Sequence, residues 1–109
     1  MSPAAELRRR FFSAFWAELR VVWPIVSGLL GAQLLLGMIV GYLEGWRIID
    51  ATYFTFVTGL TIGYGDLVPQ RIVTRLIAIA IGLSGILLTG LVAAVGVRAL
   101  QEATERETR

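Results

Sequence analysis

Thr61-Ile62-Gly63-Tyr64-Gly65-Asp66 runs between two long apolar stretches, in a segment too short to be a domain. A chain has few reasons to set glycines on both sides of a tyrosine at membrane depth. Glycine takes positive φ without a Cβ clash, so Gly63 and Gly65 let an extended segment turn successive carbonyls the same way. Carbonyl oxygens stacked toward one axis can strip a cation of its water and hold it.

The chain has 109 residues, of which 56% are hydrophobic and only 17% charged. Its mean hydropathy is +0.72. A soluble domain of this size cannot bury so large an apolar fraction, so the composition implies a membrane protein of one small module. The absence of cysteine excludes disulfides and thiolate metal sites. The absence of histidine removes the usual pH switch and the commonest metal ligand. All ten basic residues are arginine, and a net charge of +2 is too small and dispersed to suggest nucleic acid. No nucleophile–base pair or metal constellation is present, so neither an enzyme nor a cofactor is expected.

The first apolar run extends from Val21 to Leu43 and the second from Leu76 to Val97. Each is about 22 residues, roughly 33 Å as helix, enough to cross a hydrocarbon core of about 30 Å. Pro24 is expected in the first turn or two of its helix, where a missing N–H costs least. The first run is too long for a cleaved signal peptide and follows a charged, aromatic segment. Two spans place both termini on one side. Arg8, Arg9, Arg10, Arg20, Arg98, Arg106 and Arg109 flank the spans, against Arg47, Arg71 and Arg75 in the loop. That bias puts the termini in the cytoplasm and the loop outside, in a multi-pass protein of the plasma membrane.

Residues 1–20 form an N-terminal amphipathic segment. Ser2-Pro3 suits a cap and first helical position, and Leu7, Phe11, Phe12, Phe15, Trp16 and Leu19 recur at helical spacing among arginines. Such a helix can lie in the headgroup layer with Arg8, Arg9 and Arg10 on anionic lipid. The alternative is a straight extension of the first span.

Between the spans, Glu44-Gly45-Trp46-Arg47 reads as a polar outer turn, and Trp46 suits an aromatic belt. Asp50 is expected as the N-cap of a helix from Ala51 to Gly59, with Gly59 as its C-cap. A helix this short followed by a glycine-rich strand reads as re-entrant. Non-helical backbone at that depth needs enclosure by protein or a water-filled pore. One chain with two spans cannot enclose it, whereas several copies around an axis can.

The stretch from Glu44 to Arg75, with the short aromatic helix, T-I-G-Y-G-D and Pro69 three residues later, resembles the pore region of two-transmembrane prokaryotic potassium channels. Potassium channels are the standing example of the carbonyl device above. With its flanking helices the resemblance covers residues 21–98. It implies an all-α membrane protein: outer helix 21–43, re-entrant pore helix 50–59, filter 61–66 and inner helix 72–98, closed into a homotetrameric pore, with a polar cytoplasmic tail at 99–109. It implies ion sites for K⁺ formed by the carbonyls of Thr61, Ile62, Gly63 and Tyr64, with the Thr61 hydroxyl and Gly65 completing the filter. The pore helix would aim its negative C-terminal end at the axis. Ile62 and Tyr64 side chains would pack behind the filter.

Three positions depart from the family pattern. Ile62 stands where valine is commonest. Leu60 replaces a threonine near the inner cavity. Val57 occupies the place of a glutamate that some relatives pair with the acid matching Asp66. Asp66 is then either a solvated mouth charge or a filter support, with Tyr53 or Trp46 as its donor. The second span holds Gly82, Gly85, Gly90 and Gly96. In the resembling channels a hinge glycine falls about twenty residues past the last filter glycine, which selects Gly85. Close packing is the alternative for Gly85 and the expectation for the other three.

No helix carries arginines at a periodic spacing, so no voltage sensor is expected. Gln101 to Glu107 reads as a polar extension of the inner helix, whose charges either bridge subunits or face solvent. The functional expectation is passive, K⁺-selective conduction. The competing readings are a less selective cation channel, one repeat of a K⁺ transporter, and a non-conducting membrane scaffold or subunit.

Overall fold

The structure is a computed structural model that describes residues 2–108, with side chains through residue 105. Arg109 and the side chain of Arg106, two of the flanking arginines counted above, lie outside the described residues. Three helices make up the chain: α1 (Pro3–Glu44), α2 (Ile48–Gly59) and α3 (Ile72–Thr108), with no strand among the described residues. Helices α1 and α3 are long and apolar enough to cross a membrane. The chain is an all-α membrane protein with two such helices.

Helix α1 starts where Ser2-Pro3 predicts. The Ala5 N–H donates to Ser2 Oγ at 3.2 Å, satisfying an otherwise unpaired terminal donor. One turn on, Arg10 pairs with Glu6 at 3.0 Å. The amphipathic segment is continuous with the apolar run in one 42-residue helix. Pro24 therefore sits in a helix interior, not in a first turn. There its ring removes the bond that an N–H would make to the Arg20 carbonyl. The helix ends in a Schellman motif. Gly45 has φ +75°, and Trp46 N–H donates to the Gly41 carbonyl at 2.8 Å while Gly45 N–H donates to Tyr42 at 3.3 Å.

Asp50 does not cap α2. The helix begins at Ile48, three residues earlier than that reading requires, and Arg47 takes the cap position in extended conformation with no side-chain cap bond. Asp50 lies in the first turn, where a carboxylate favours the positive helix end, and accepts from Arg47 Nε at 3.2 Å. At the other end, Gly59 is the last helical residue and Leu60 the C-cap. At 12 residues, α2 is about 18 Å long and cannot cross a bilayer. Helix α3 starts at Ile72 as expected and continues through the polar tail to Thr108.

Two compact units divide the chain, Met1–Val26 with Gly90–Arg109, and Ser27–Thr89. In the first, Ala14, Val95, Ala99 and Ala103 are buried. Beside them Phe15 packs near Gly96 and Arg98 pairs with Glu18 at 3.6 Å. The second unit carries the short helix and residues 61–66. Its core is Val40, Phe54 and Ile81, with Leu36, Trp46, Leu67, Ile77 and Ala78 against it.

Small residues let α1 and α2 approach in that second unit. Gly41 faces Ala51, Gly37 faces Thr55, and Gln33 faces Gly59, so the two helices run antiparallel with matched steps of four residues. A Cβ at Gly37 would strike the Thr55 side chain, and one at Gly41 would strike the Ala51 Cβ. Thr55, fully buried, donates its hydroxyl to the Ala51 carbonyl at 2.7 Å. The sequence reading did not single out this Gly-x-x-x-Gly step, although its spacing is visible on α1.

Candidate functional site

After α2 the backbone alternates in hand. Thr61, Gly63 and Gly65 have φ of +61°, +59° and +82°, and among the described residues Thr61 is the non-glycine residue with positive φ. Gly63 and Gly65 behave as their residue type predicts. Thr61 was not foreseen in this conformation, because a β-branched residue is disfavoured there by about 1–2 kcal/mol. The pattern turns every second peptide, and it makes the three positions a unit.

The amides of Thr61, Ile62 and Gly63 are anchored to the last turn of α2. Thr61 N–H donates to the Thr58 carbonyl at 3.1 Å, and Ile62 and Gly63 N–H both donate to the Val57 carbonyl, at 2.9 and 3.2 Å. A trans peptide points its C=O opposite its N–H. The carbonyls of Leu60, Thr61 and Ile62 therefore point away from the last turn of α2. Val57, which stands where some of the resembling channels carry a glutamate, supports residues 62 and 63 through its backbone carbonyl. The carbonyl end of α2 lies at this strand and carries the negative end of the helix dipole. Thr61 Oγ1 donates to the Leu60 carbonyl at 2.6 Å.

Ile62 and Tyr64 do not pack behind the filter within one chain. Tyr64 is 70% exposed and Ile62 48%. Asp66 meets Tyr53: a side-chain hydrogen bond to Asp66, then burial, then the charge of Asp66 raise the phenol pKa above its ordinary value. The phenol stays protonated and able to donate. Trp46, the other proposed donor, instead stacks edge-on against Phe54 with ring centroids 5.0 Å apart.

Two further residues hold the loop, and sequence reasoning foresaw neither contact. Glu44, just past the apolar run, accepts from Gln70 N–H at 2.6 Å, Arg71 N–H at 3.1 Å and Thr74 Oγ1 at 2.7 Å. It caps α3 from 28 residues away, and no local motif signals such a contact. These bonds, the Thr74 hydroxyl foremost, lower its pKa below the ordinary value. Arg75 donates Nε to the Pro69 carbonyl at 3.1 Å, fixing the turn after the filter.

Gly85 is buried where α3 meets the end of α2. A Cβ there would overlap the Gly59 carbonyl and come within 2.7 Å of the Gly59 Cα. Close packing thus requires glycine at 85, and α3 is helical through it. Gly82 and Gly90 have nothing within 4 Å of a Cβ position, and Gly96 has only Phe15 at 3.8 Å. Within one chain, Gly96 has an ordinary contact, Gly82 and Gly90 have none, and the tight packing falls at Gly85.

Comparison with known proteins places this geometry. Residues 28–102 match the family described as "Ion channel". "Two pore potassium channel b" of Oryza sativa subsp. japonica is 40% identical over 79 residues, covering 65% of this chain and 23% of that protein. "Two pore potassium channel a" of the same plant is 38% identical over 82 residues, or 68% and 24%. "Two-pore potassium channel 1" of Arabidopsis thaliana is 51% identical over 43 residues, or 39% and 12%. The chain therefore spans at most 24% of the length of these relatives. All three are plant proteins, and nothing in them bears on a prokaryotic origin. No solved structure matches the chain.

Proposed function

This chain belongs to the ion-channel family, and we propose that it is one subunit of a homotetrameric pore that conducts K⁺ passively and selectively. The alternation of left-handed φ at Thr61, Gly63 and Gly65 carries the reading. It presents carbonyls as a wall, and four such walls around an axis replace the hydration shell of K⁺. Binding sites then lie at Thr61, Ile62, Gly63 and Tyr64, with Gly65 closing the filter and the dipole of α2 favouring a cation behind them. Tyr53 holds Asp66 at the outer end of the strand. Ile62 and Tyr64, exposed on one chain, are covered by the neighbouring copies.

The arginine bias places both termini in the cytoplasm of a plasma-membrane protein. Arg8 and Arg9 are exposed and suit anionic headgroups, while Arg10 is engaged by Glu6. Gly85 serves both packing and gating: the inner helix pivots where it bears on Gly59.

Purified protein in liposomes under opposed K⁺ and Na⁺ gradients tests the function. The expected result is K⁺ flux with Na⁺ excluded. Equal flux of both ions would replace this reading with a less selective cation channel. A stable tetramer without flux under any gradient would favour a membrane scaffold.

A further inference from the structure

One polar group in the Ser27–Thr89 unit has no use in the pore. Gln33 on α1 is only 5% exposed, and its amide nitrogen is buried without a hydrogen-bond partner. It is the third step of the α1–α2 contact, where its Nε2 lies 3.2 Å from the position of a Cβ on Gly59. An unpaired N–H in an apolar interior is unfavourable unless something accepts from it. A glutamine at this step also departs from the small residues at the other two, Gly37 and Gly41.

The amide lines a partly open cavity of about 80 Å³, whose Phe56, Leu60 and Thr89 walls are exposed on one chain. Leu30, Phe56, Leu60 and Leu88 supply apolar walls, and Thr89 is the other polar side chain on its lining. Water is a poor occupant here. A buried water is held by about two to four polar partners, and this lining is mostly hydrocarbon. The chemistry asks for a compact apolar body with a single acceptor at one end.

We propose that this cavity is a binding site for a small uncharged amphiphile of the short-chain alcohol class. The ligand oxygen accepts from Gln33 Nε2–H, its own hydroxyl proton is offered to Thr89 Oγ1, and its carbon body lies against Leu30, Phe56 and Leu88. Such molecules partition into bilayers and reach the site from the membrane. The site lies where α3 bears on the end of α2 at Gly85 and Gly59, directly behind the filter strand. Binding does not depend on the conduction reading; an effect of the ligand on K⁺ flux rests on it.

Photolabelling of the full-length protein in liposomes with 3-azibutanol, read by peptide mass spectrometry, tests the proposal. The expected label is saturable, falls on Phe56, Leu88 or their neighbours, and is competed by 1-butanol. Gln33→Leu should weaken it by at least about tenfold. Leu88→Trp, which fills the cavity and leaves Gln33 in place, should abolish it. Helix content and melting of each variant are followed alongside, and the position of label in the parent protein needs no variant at all. Label spread over the outward faces of α1 and α3 without saturation overturns the site. So does an assembled protein whose cavity residues take no label, or a Gln33→Leu protein labelled like the parent. Saturable labelling in a protein that passes no K⁺ keeps the site and removes the conduction reading.

Discussion

At φ +61° Thr61 holds a β-branched side chain in the left-handed region, a conformation that glycine reaches freely and threonine does not. Surrounding bonds must hold it there, and the donors at Thr61, Ile62 and Gly63 into the last turn of α2 do so. The two glycines of this strand were readable from residue type alone. The strained threonine was not, because its conformation is imposed by those bonds and not by its own preference. Gly63→Ala isolates the effect of hand from that of space, since nothing lies within 4 Å of a Cβ at this position. The added methyl costs about 1–2 kcal/mol at positive φ, a factor of about 5 to 30 in the population of the native strand. Every strand of the proposed pore carries that penalty, so selective K⁺ flux through pores made only of the variant should fall by much more than the single-strand factor while the oligomer survives gel filtration; parent-like flux would remove the requirement for left-handed backbone. Tyr53→Phe asks a separate question. Without the phenol hydroxyl Asp66 loses its donor, so K⁺ current should decay several-fold faster in low external K⁺, with the K⁺/Na⁺ ratio unchanged. A decay rate equal to the parent's would make Asp66 a solvated charge.

Helices are where sequence reading succeeded in kind and missed in extent. Two apolar spans and a helix too short to cross were legible because burial in lipid demands uninterrupted apolar residues and internally paired backbone. The ends were less so. Helix α1 runs back to Pro3 through Pro24, and α2 starts at Ile48 with Asp50 inside its first turn. Other contacts join residues far apart along the chain. Glu44 is the plainest case, since it caps α3 across the whole filter loop. Its carboxylate has a lowered folded-state pKa, so it stabilises the fold above the ordinary glutamate value and that contribution is lost as pH falls through the lowered one. Glu44→Ala should therefore lower the melting temperature at pH 7, and its gap from the parent should narrow as pH drops below about 4.5. A gap independent of pH would mean that the charge is not what caps the helix. Gly85 and Gly82 separate packing from chain flexibility. Each glycine-to-alanine change stiffens α3 by a similar amount, but only Gly85→Ala drives a methyl into Gly59. Open probability should shift for Gly85→Ala and stay near the parent's for Gly82→Ala. Equal shifts would assign the effect to helix stiffness instead.

A single chain leaves much of its apolar surface bare, including Leu76, Ile79, Leu83, Ile86 and Leu87 on α3, together with Ile62 and Tyr64 on the filter strand. Lipid can cover the helix faces. It cannot satisfy a non-helical strand whose carbonyls point away from their own helix, because no donor exists in hydrocarbon. The proposed closed rotational symmetry would resolve this, with each copy supplying one wall. Counting the copies by function is then possible with the Gly63→Ala chain as a poison. Parent and variant chains are co-expressed in known ratio, reconstituted together, and assayed for K⁺ flux per mass of protein. If conduction needs four native strands, an equal mixture contains only about one-sixteenth fully native pores, and flux falls as the fourth power of the parent fraction. Pairs of chains would leave about a quarter, and chains conducting alone would leave about half. A linear dependence would overturn the shared pore, whereas a fourth-power curve would show that the six-residue strand works only as one wall among four.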